Sequence, residues 1–237
     1  MILVVLENQR GKIHSFSKEA ITAGQKFAKQ FNTTLSILCL GENADLLKEE
    51  ASAFSCDSII IAKHNLIDTY TSDGFAKSLS DIIFDKKPKF TIMGHTYMAR
   101  DFLPRVSVKQ DIPFIGDLTS VDFKNGKIIF SKQVFNAKFL TNIEMDSSVE
   151  NAILSFQSAA FSSENIEIGS PKKIEVIDVA LNDSDVRITN EGAFKETSSD
   201  VDLSSANFIV TVGRGIENVE NIPCLLYTSP SPRDPIG

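Results

Sequence analysis

Cysteine and histidine are both scarce in this 237-residue chain, with three of each. Cys39 lies inside the apolar run TLSILCLG, Cys56 precedes the run SIIIAK, and Cys224 falls in a polar tail. No pair has the C-x-x-C spacing, so the expectation is reduced, buried thiols and no disulfide framework. His14, His64 and His95 are far apart, and none stands at ligand spacing from a cysteine, so no metal site is assigned. P-loop, GxGxxG and GxSxG motifs are missing, and nothing pairs a nucleophile with a base. No catalytic residue is therefore assigned. No apolar run approaches the ~20 residues that span a bilayer, so membrane insertion is not expected. Met1 is followed at once by ILVVL, which reads as a strand and not as a signal peptide. The expected compartment is a bacterial cytoplasm. The net charge of −7 is spread along the chain, which argues against nucleic acid or an anionic membrane as the main partner.

What remains is ordinary globular composition, 42% hydrophobic and 23% charged. The first 95 residues alternate strand and helix signals. ILVVL (2–6), TLSILCLG (34–41), SIIIAK (58–63) and FTIMGH (90–95) are short continuous apolar runs, as expected of strands buried on both faces. Between them, Ala20, Phe27, Ala28 and Phe31 share one helix side, with Ser15 or Ser17 as its cap. Ala44, Leu47, Ala51 and Phe54 repeat at helical steps, as do Phe75, Leu79, Ile82 and Ile83. This alternation predicts a parallel sheet with helices on both faces. Pro104 predicts a helix starting near it, ended by Asp111 and Pro113. LTSVDF (118–123), Asn125-Gly126, KIIFSKQVF (127–135), AKFLTNIEM (137–145) and AILSF (152–156) read as an antiparallel meander, and KKIEVIDVAL (172–181) as one more strand.

The expected organisation is an α/β scaffold domain over residues 1–181, with a mostly parallel sheet and an antiparallel extension. A polar linker over 182–206 follows. NFIVTV (207–212) restarts as a buried strand, so 207–223 is expected to open a truncated second α/β domain. CLLYTSPSPRD (224–234) continues no helical or strand pattern. It resembles the translation of a transposase-type sequencing adapter, so 224–237 is expected to be a non-native tail.

Three places could carry chemistry. His95 ends the fourth strand, at the carboxyl edge where open parallel sheets hold ligands; the plainer reading is a partly buried histidine satisfied by backbone. Arg100, Asp101 and Arg105 could hold an anion at a helix start, or form a surface Arg–Asp pair. Gly213, Arg214 and Gly215 follow an apolar strand: glycine lets backbone approach a ligand, and arginine brings a permanent charge and a fixed fork of donors. That arrangement suits a phosphate or an anionic flavin; a plain turn is the alternative.

Together these stretches resemble the alpha subunit of an electron-transfer flavoprotein. ILVVLENQRGKI with the helix ending in Phe27-Ala28, GHTYMARDFLPRVSVKQDIPFIGDLTSV, KQVFNAKF and ANFIVTVGRG match that family's order and spacing over residues 1–223. Phe135-Asn136-Ala137 departs from a Tyr-Ala-Gly-Asn-Ala run of many members, and Val212 replaces a glycine of the family's Gly-Gly-Arg-Gly loop. The resemblance implies an electron carrier, not an enzyme with its own substrate. It implies a beta subunit as partner, and dehydrogenases and a membrane quinone reductase as redox partners. FAD would be held by the second domain, with Gly213, Arg214 and Gly215 near it. A nucleotide-binding or stress-response-like α/β module, or a scaffold that only docks a partner, is the alternative; a nucleotide site would need paired glycines after the fourth strand, where residues 94–107 contain only Gly94.

Overall fold

A computed structural model describes residues 1–190 apart from 42 and 147, together with 209, 211–216 and 218–223. The chain divides into two compact units, Met1–Glu191 and Gly192–Gly237. The strand expected over 207–212 falls largely outside the described residues; of its members, Ile209, Thr211 and Val212 are described, and they are exposed and not in a strand. The adapter-like tail, 224–237, lies wholly outside them.

The first unit is built on β1 (Ile2–Leu6), a small hairpin β2 (Asn8–Gln9) and β3 (Lys12–Ile13), then α1 (Ser15–Gln30), β4 (Leu35–Leu40), α2 (Ala44–Ala51), β5 (Ser58–Lys63), α3 (Ser72–Lys86), β6 (Phe90–Gly94) and α4 (Tyr97–Gln110). It continues through β7 (Phe114–Lys124), β8 (Lys127–Val134), β9 (Phe139–Asp146), β10 (Ala152–Phe156) and β11 (Lys173–Asp178). The main sheet has nine strands in the order β11-β5-β4-β1-β6-β10-β7-β8-β9. Every neighbouring pair from β11 to β7 is parallel. The last two pairings, β7 with β8 and β8 with β9, are antiparallel. The α/β class with helices on both faces is as the apolar runs predict.

Alternation along β1 explains the two layers. Ile2, Val4 and Leu6 face α1 and α2, and Leu3 and Val5 face α3 and α4. Phe27 of α1 is fully buried, edge-on to Phe90 and Phe123 at 5.2 Å each. Burying such a ring contributes roughly 2–3 kcal/mol, so the helix is held by this face more than by intrinsic propensity.

Four local expectations are corrected. α1 is capped by His14, whose Nδ1 accepts from Phe16 N at 3.1 Å; Ser17 is occupied elsewhere, its Oγ accepting from Glu7 N at 2.9 Å. Phe54 lies beyond α2, in a bridge to Ile168. α4 starts at the Thr96 cap, and Pro104 sits inside it. Pro104 is on the exposed side; Phe102, Leu103 and Val106 beside it are fully buried. Burial of those three outweighs a proline cost of about 3 kcal/mol. Finally, β10 is no meander strand. It inserts between β6 and β7, parallel to both.

Residues 182–190, the first part of the stretch read as linker, belong to the first unit. Asn182 and Asp185 form a capping box. Arg187 and Arg105 both reach the largely buried Asp73, at 3.3 and 3.4 Å.

Candidate functional site

The parallel strands deliver Glu7, His95 and Gln157 to one carboxyl edge, because β1, β6 and β10 are neighbours there. A groove of about 410 Å³ opens at this edge, lined by Glu7, His14, Phe16, His95, Thr96, Tyr97 and Arg100. Gly94 lets α1 come close. A Cβ there would stand 2.5 Å from Phe16 Cβ and 3.0 Å from its carbonyl oxygen.

His95 is the centre of a hydrogen-bonded cluster. Its backbone N–H donates to Phe156 O at 2.7 Å. Its Nδ1 lies 2.8 Å from Ser155 Oγ and accepts from Asp117 N at 3.3 Å. A backbone N–H can only donate, so Nδ1 carries a lone pair and Nε2 carries the proton. Nε2 faces Asp117 Oδ1 at 3.4 Å. Gln157 Nε2 donates to the same carboxylate at 2.7 Å, and Lys132 Nζ donates to Gly116 O at 3.0 Å. Burial holds the imidazole pKa below its usual value; Asp117 opposes this, and Arg100 and Lys132 reinforce it.

Ser155, His95 and Asp117 thus hold the residue types of a hydrolase triad. They are not one in function. Ser155 is fully buried, and the nitrogen it meets is already engaged by a backbone donor. The hydrogen bonds of His95 are those of the plainer reading, with the Ser155 side chain added to the backbone partner it foresaw.

At the mouth of α4, Thr96 Oγ1 accepts from Ala99 N at 3.1 Å and donates to Glu7 Oε2. A carboxylate of the protein itself therefore stands at the positive end of this helix. Arg100 is in the first turn of α4, and Asp101 and Arg105 follow further along it. Arg105 pairs with Asp101 and Asp73, Asp101 accepts from Tyr70 OH at 2.7 Å, and Arg100 lies over the Tyr97 ring at 5.7 Å. The structure brings these three into surface contacts and not around a common anion.

The Gly213 carbonyl accepts from Ile216 N at 3.2 Å, closing one 3-10 turn over Arg214–Ile216. Gly213 and Gly215 are exposed, and among the described residues no atom stands within 4 Å of a Cβ placed on either. A ligand the size of FAD is enclosed over most of its surface, so the described residues alone do not form a flavin site. Sequence reasoning missed Glu7, Asp117, Ser155 and Gln157. Their only signal was position at strand ends, and the pairing that makes those ends neighbours is non-local.

The electron transfer flavoprotein domain family matches residues 2–182. The chain is 29% identical to the electron transfer flavoprotein subunit alpha of Bacillus subtilis, over 92% of this chain and 66% of that protein. It is 26% identical to the Protein FixB of Clostridium saccharobutylicum (94% and 67%) and to the acryloyl-CoA reductase electron transfer subunit beta of Anaerotignum propionicum (91% and 65%). The chain spans about two thirds of the length of these relatives. A family match that covers the whole nine-stranded sheet, joined to alpha-subunit similarity beyond it, places the chain in the electron transfer flavoprotein family, on the alpha-subunit side.

Proposed function

We propose that this chain is the scaffold-bearing part of an electron-transfer flavoprotein alpha subunit. It pairs with a beta subunit, and the assembly carries electrons from dehydrogenases to a quinone reductase. FAD supplies the one- or two-electron chemistry when bound. It is held mainly by the part of the relatives' length that this chain does not span, with Gly213, Arg214 and Gly215 contributing one edge. The observation that carries this reading is the family match over residues 2–182, which coincides with the sheet unit.

The test is reconstitution of the complete alpha subunit with its beta subunit. Flavin absorbance in the purified pair is expected, and Arg214→Ala is expected to shift the flavin potential or weaken its binding. A pair that stays colourless in excess FAD overturns the reading. The nucleotide-binding alternative is weakened by Glu7, whose carboxylate already stands at the helix end where a phosphate would sit. Micromolar binding of ATP or AMP to this chain would revive it.

A further inference from the structure

We propose that His95 is a pH-sensitive joint: its neutral ring fastens the antiparallel ribbon β7–β9 to the parallel sheet, and protonation loosens that ribbon. This inference does not depend on the proposed function.

By strand pairing the ribbon joins the rest of the sheet at β7 and β10, and Phe123 of β7 also packs on Phe27 of α1. The seam between β7 and β10 is irregular. The register between β10 and β7 shifts between Leu154 and Phe156, and Asp117 sits in the left-handed region with φ of 66°. Aspartate tolerates that region better than most non-glycine residues, and here its contacts also fix it. Those contacts centre on His95. The Asp117 N–H, turned out of the ladder by the bulge, ends on Nδ1. Its carboxylate is fixed by Gln157 and faces Nε2. One imidazole therefore ties β6 to both strands of the seam.

Protonation removes the acceptor. With a proton on Nδ1, the ring can still donate to Ser155 Oγ, whose hydroxyl can turn, but it can no longer take the Asp117 N–H. A half-buried backbone donor then loses its partner, and the bulge keeps only the Gln157 contact to the Asp117 carboxylate. The charged groups facing the ring act in both directions. Asp117 on β7 favours the imidazolium, while Arg100 on α4 and Lys132 on β8 oppose it; Glu7 and His14 line the same groove. Burial is the largest influence and favours the neutral ring. The sign follows: a histidine with a lowered folded pKa stabilises the fold above its ordinary 6.5, and that stability is lost as pH falls below it. The ribbon carries Phe135, Phe139 and Leu140 exposed at its tip, so the joint sets how firmly an apolar tip is presented.

The experiment follows amide exchange and the histidine ring signals of the full chain between pH 8 and pH 5, corrected for intrinsic exchange rates. The His95 signal is assigned by elimination, with His14→Gln and His64→Gln variants. His95 is expected to titrate below 6.5, and amides of residues 114–146 to lose about tenfold in protection, relative to Ile2–Leu6, over the same range. In His95→Gln, whose amide does not titrate, that step should vanish. Ribbon protection that tracks the sheet centre at every pH overturns the proposal, as does a step that survives in His95→Gln. If that variant does not fold, the wild-type comparison decides. A His95 midpoint that differs from the ribbon's midpoint overturns the joint.

Discussion

Gly24 of α1 lies directly against Val4 of β1. A Cβ on Gly24 would stand 2.4 Å from Val4 Cγ2 and 3.0 Å from Leu35 Cδ1. The glycine is the reason α1 can lie so close to the sheet. Alanine normally gains about 1 kcal/mol over glycine inside a helix. Here the overlap is with two side chains of the sheet, and overpacking of this kind costs about 1–3 kcal/mol. Gly24→Ala is expected to lower the urea midpoint without changing the slope. A raised midpoint would mean that α1 moves away from β1 freely.

Asp57 stitches the amino ends of β4, β5 and β11. Its Oδ2 accepts from Leu35 N at 2.9 Å, its Oδ1 meets Lys172 Nζ at 2.6 Å, and its carbonyl accepts from Lys172 N and Lys173 N at 3.1 Å each. The bond from Lys172, then that from Leu35, holds the carboxyl pKa below its ordinary 3.8. A depressed acid stabilises the fold above its unfolded value and loses that contribution as pH falls through the folded one. Asp57→Asn should therefore be less stable than wild type at pH 7, and the gap should close below pH 3.8. Urea midpoints at pH 7, 5 and 3 check this; a gap of constant size counts against a charge effect.

Cys39 and Cys56 are both buried, and burial pushes their thiols up to about 12 and about 11. The reactive form is the thiolate. Neither should be alkylated by iodoacetamide at pH 8 in the folded chain, and both should react in denaturant. Peptide mapping reads this directly. Rapid native labelling of Cys39 would mean that β4 opens.

Burial was legible in the sequence where it was continuous. ILVVL, SIIIAK and FTIMG read as strands covered on both faces, and they are. AILSF carries the same signal and is buried at all five positions, yet the meander reading set it beside β9. A run of apolar residues reports how much of a strand is covered, not which strands flank it. Pro104 misled for the opposite reason. Its local preference was real, but three buried neighbours on α4 outweighed it. At the site, His95 stood out as a strand end. Asp117 did not, because nothing in Phe-Ile-Gly-Asp-Leu announces a left-handed aspartate whose N–H ends on a partner 22 residues away.

The turn between β8 and β9 stores strain that a single substitution can release. Phe135, Asn136 and Ala137 are consecutive and all left-handed, with φ of 53°, 53° and 61°. The turn at Asn125-Gly126 shows the relaxed alternative, with φ of 53° and 74° on residues that tolerate it. Asparagine accepts this region; phenylalanine and alanine are each disfavoured there by about 1–2 kcal/mol. Replacing Phe135 would also remove its edge-on contact with Phe139 at 6.0 Å. Ala137 is exposed and has no such contact to lose. Ala137→Gly therefore relieves the strain and costs only the greater freedom of the unfolded chain, about 0.4–1 kcal/mol. The net gain is up to about 1 kcal/mol, or about 2–4 °C in Tm for a chain of this size. Ala28→Gly, in the last turn of α1, is the contrast. There the same exchange meets a helical backbone and should lower Tm by a similar amount. If Ala137→Gly also lowers Tm, the three left-handed residues are held by the ribbon at no cost, and the strain assigned to this turn is absent.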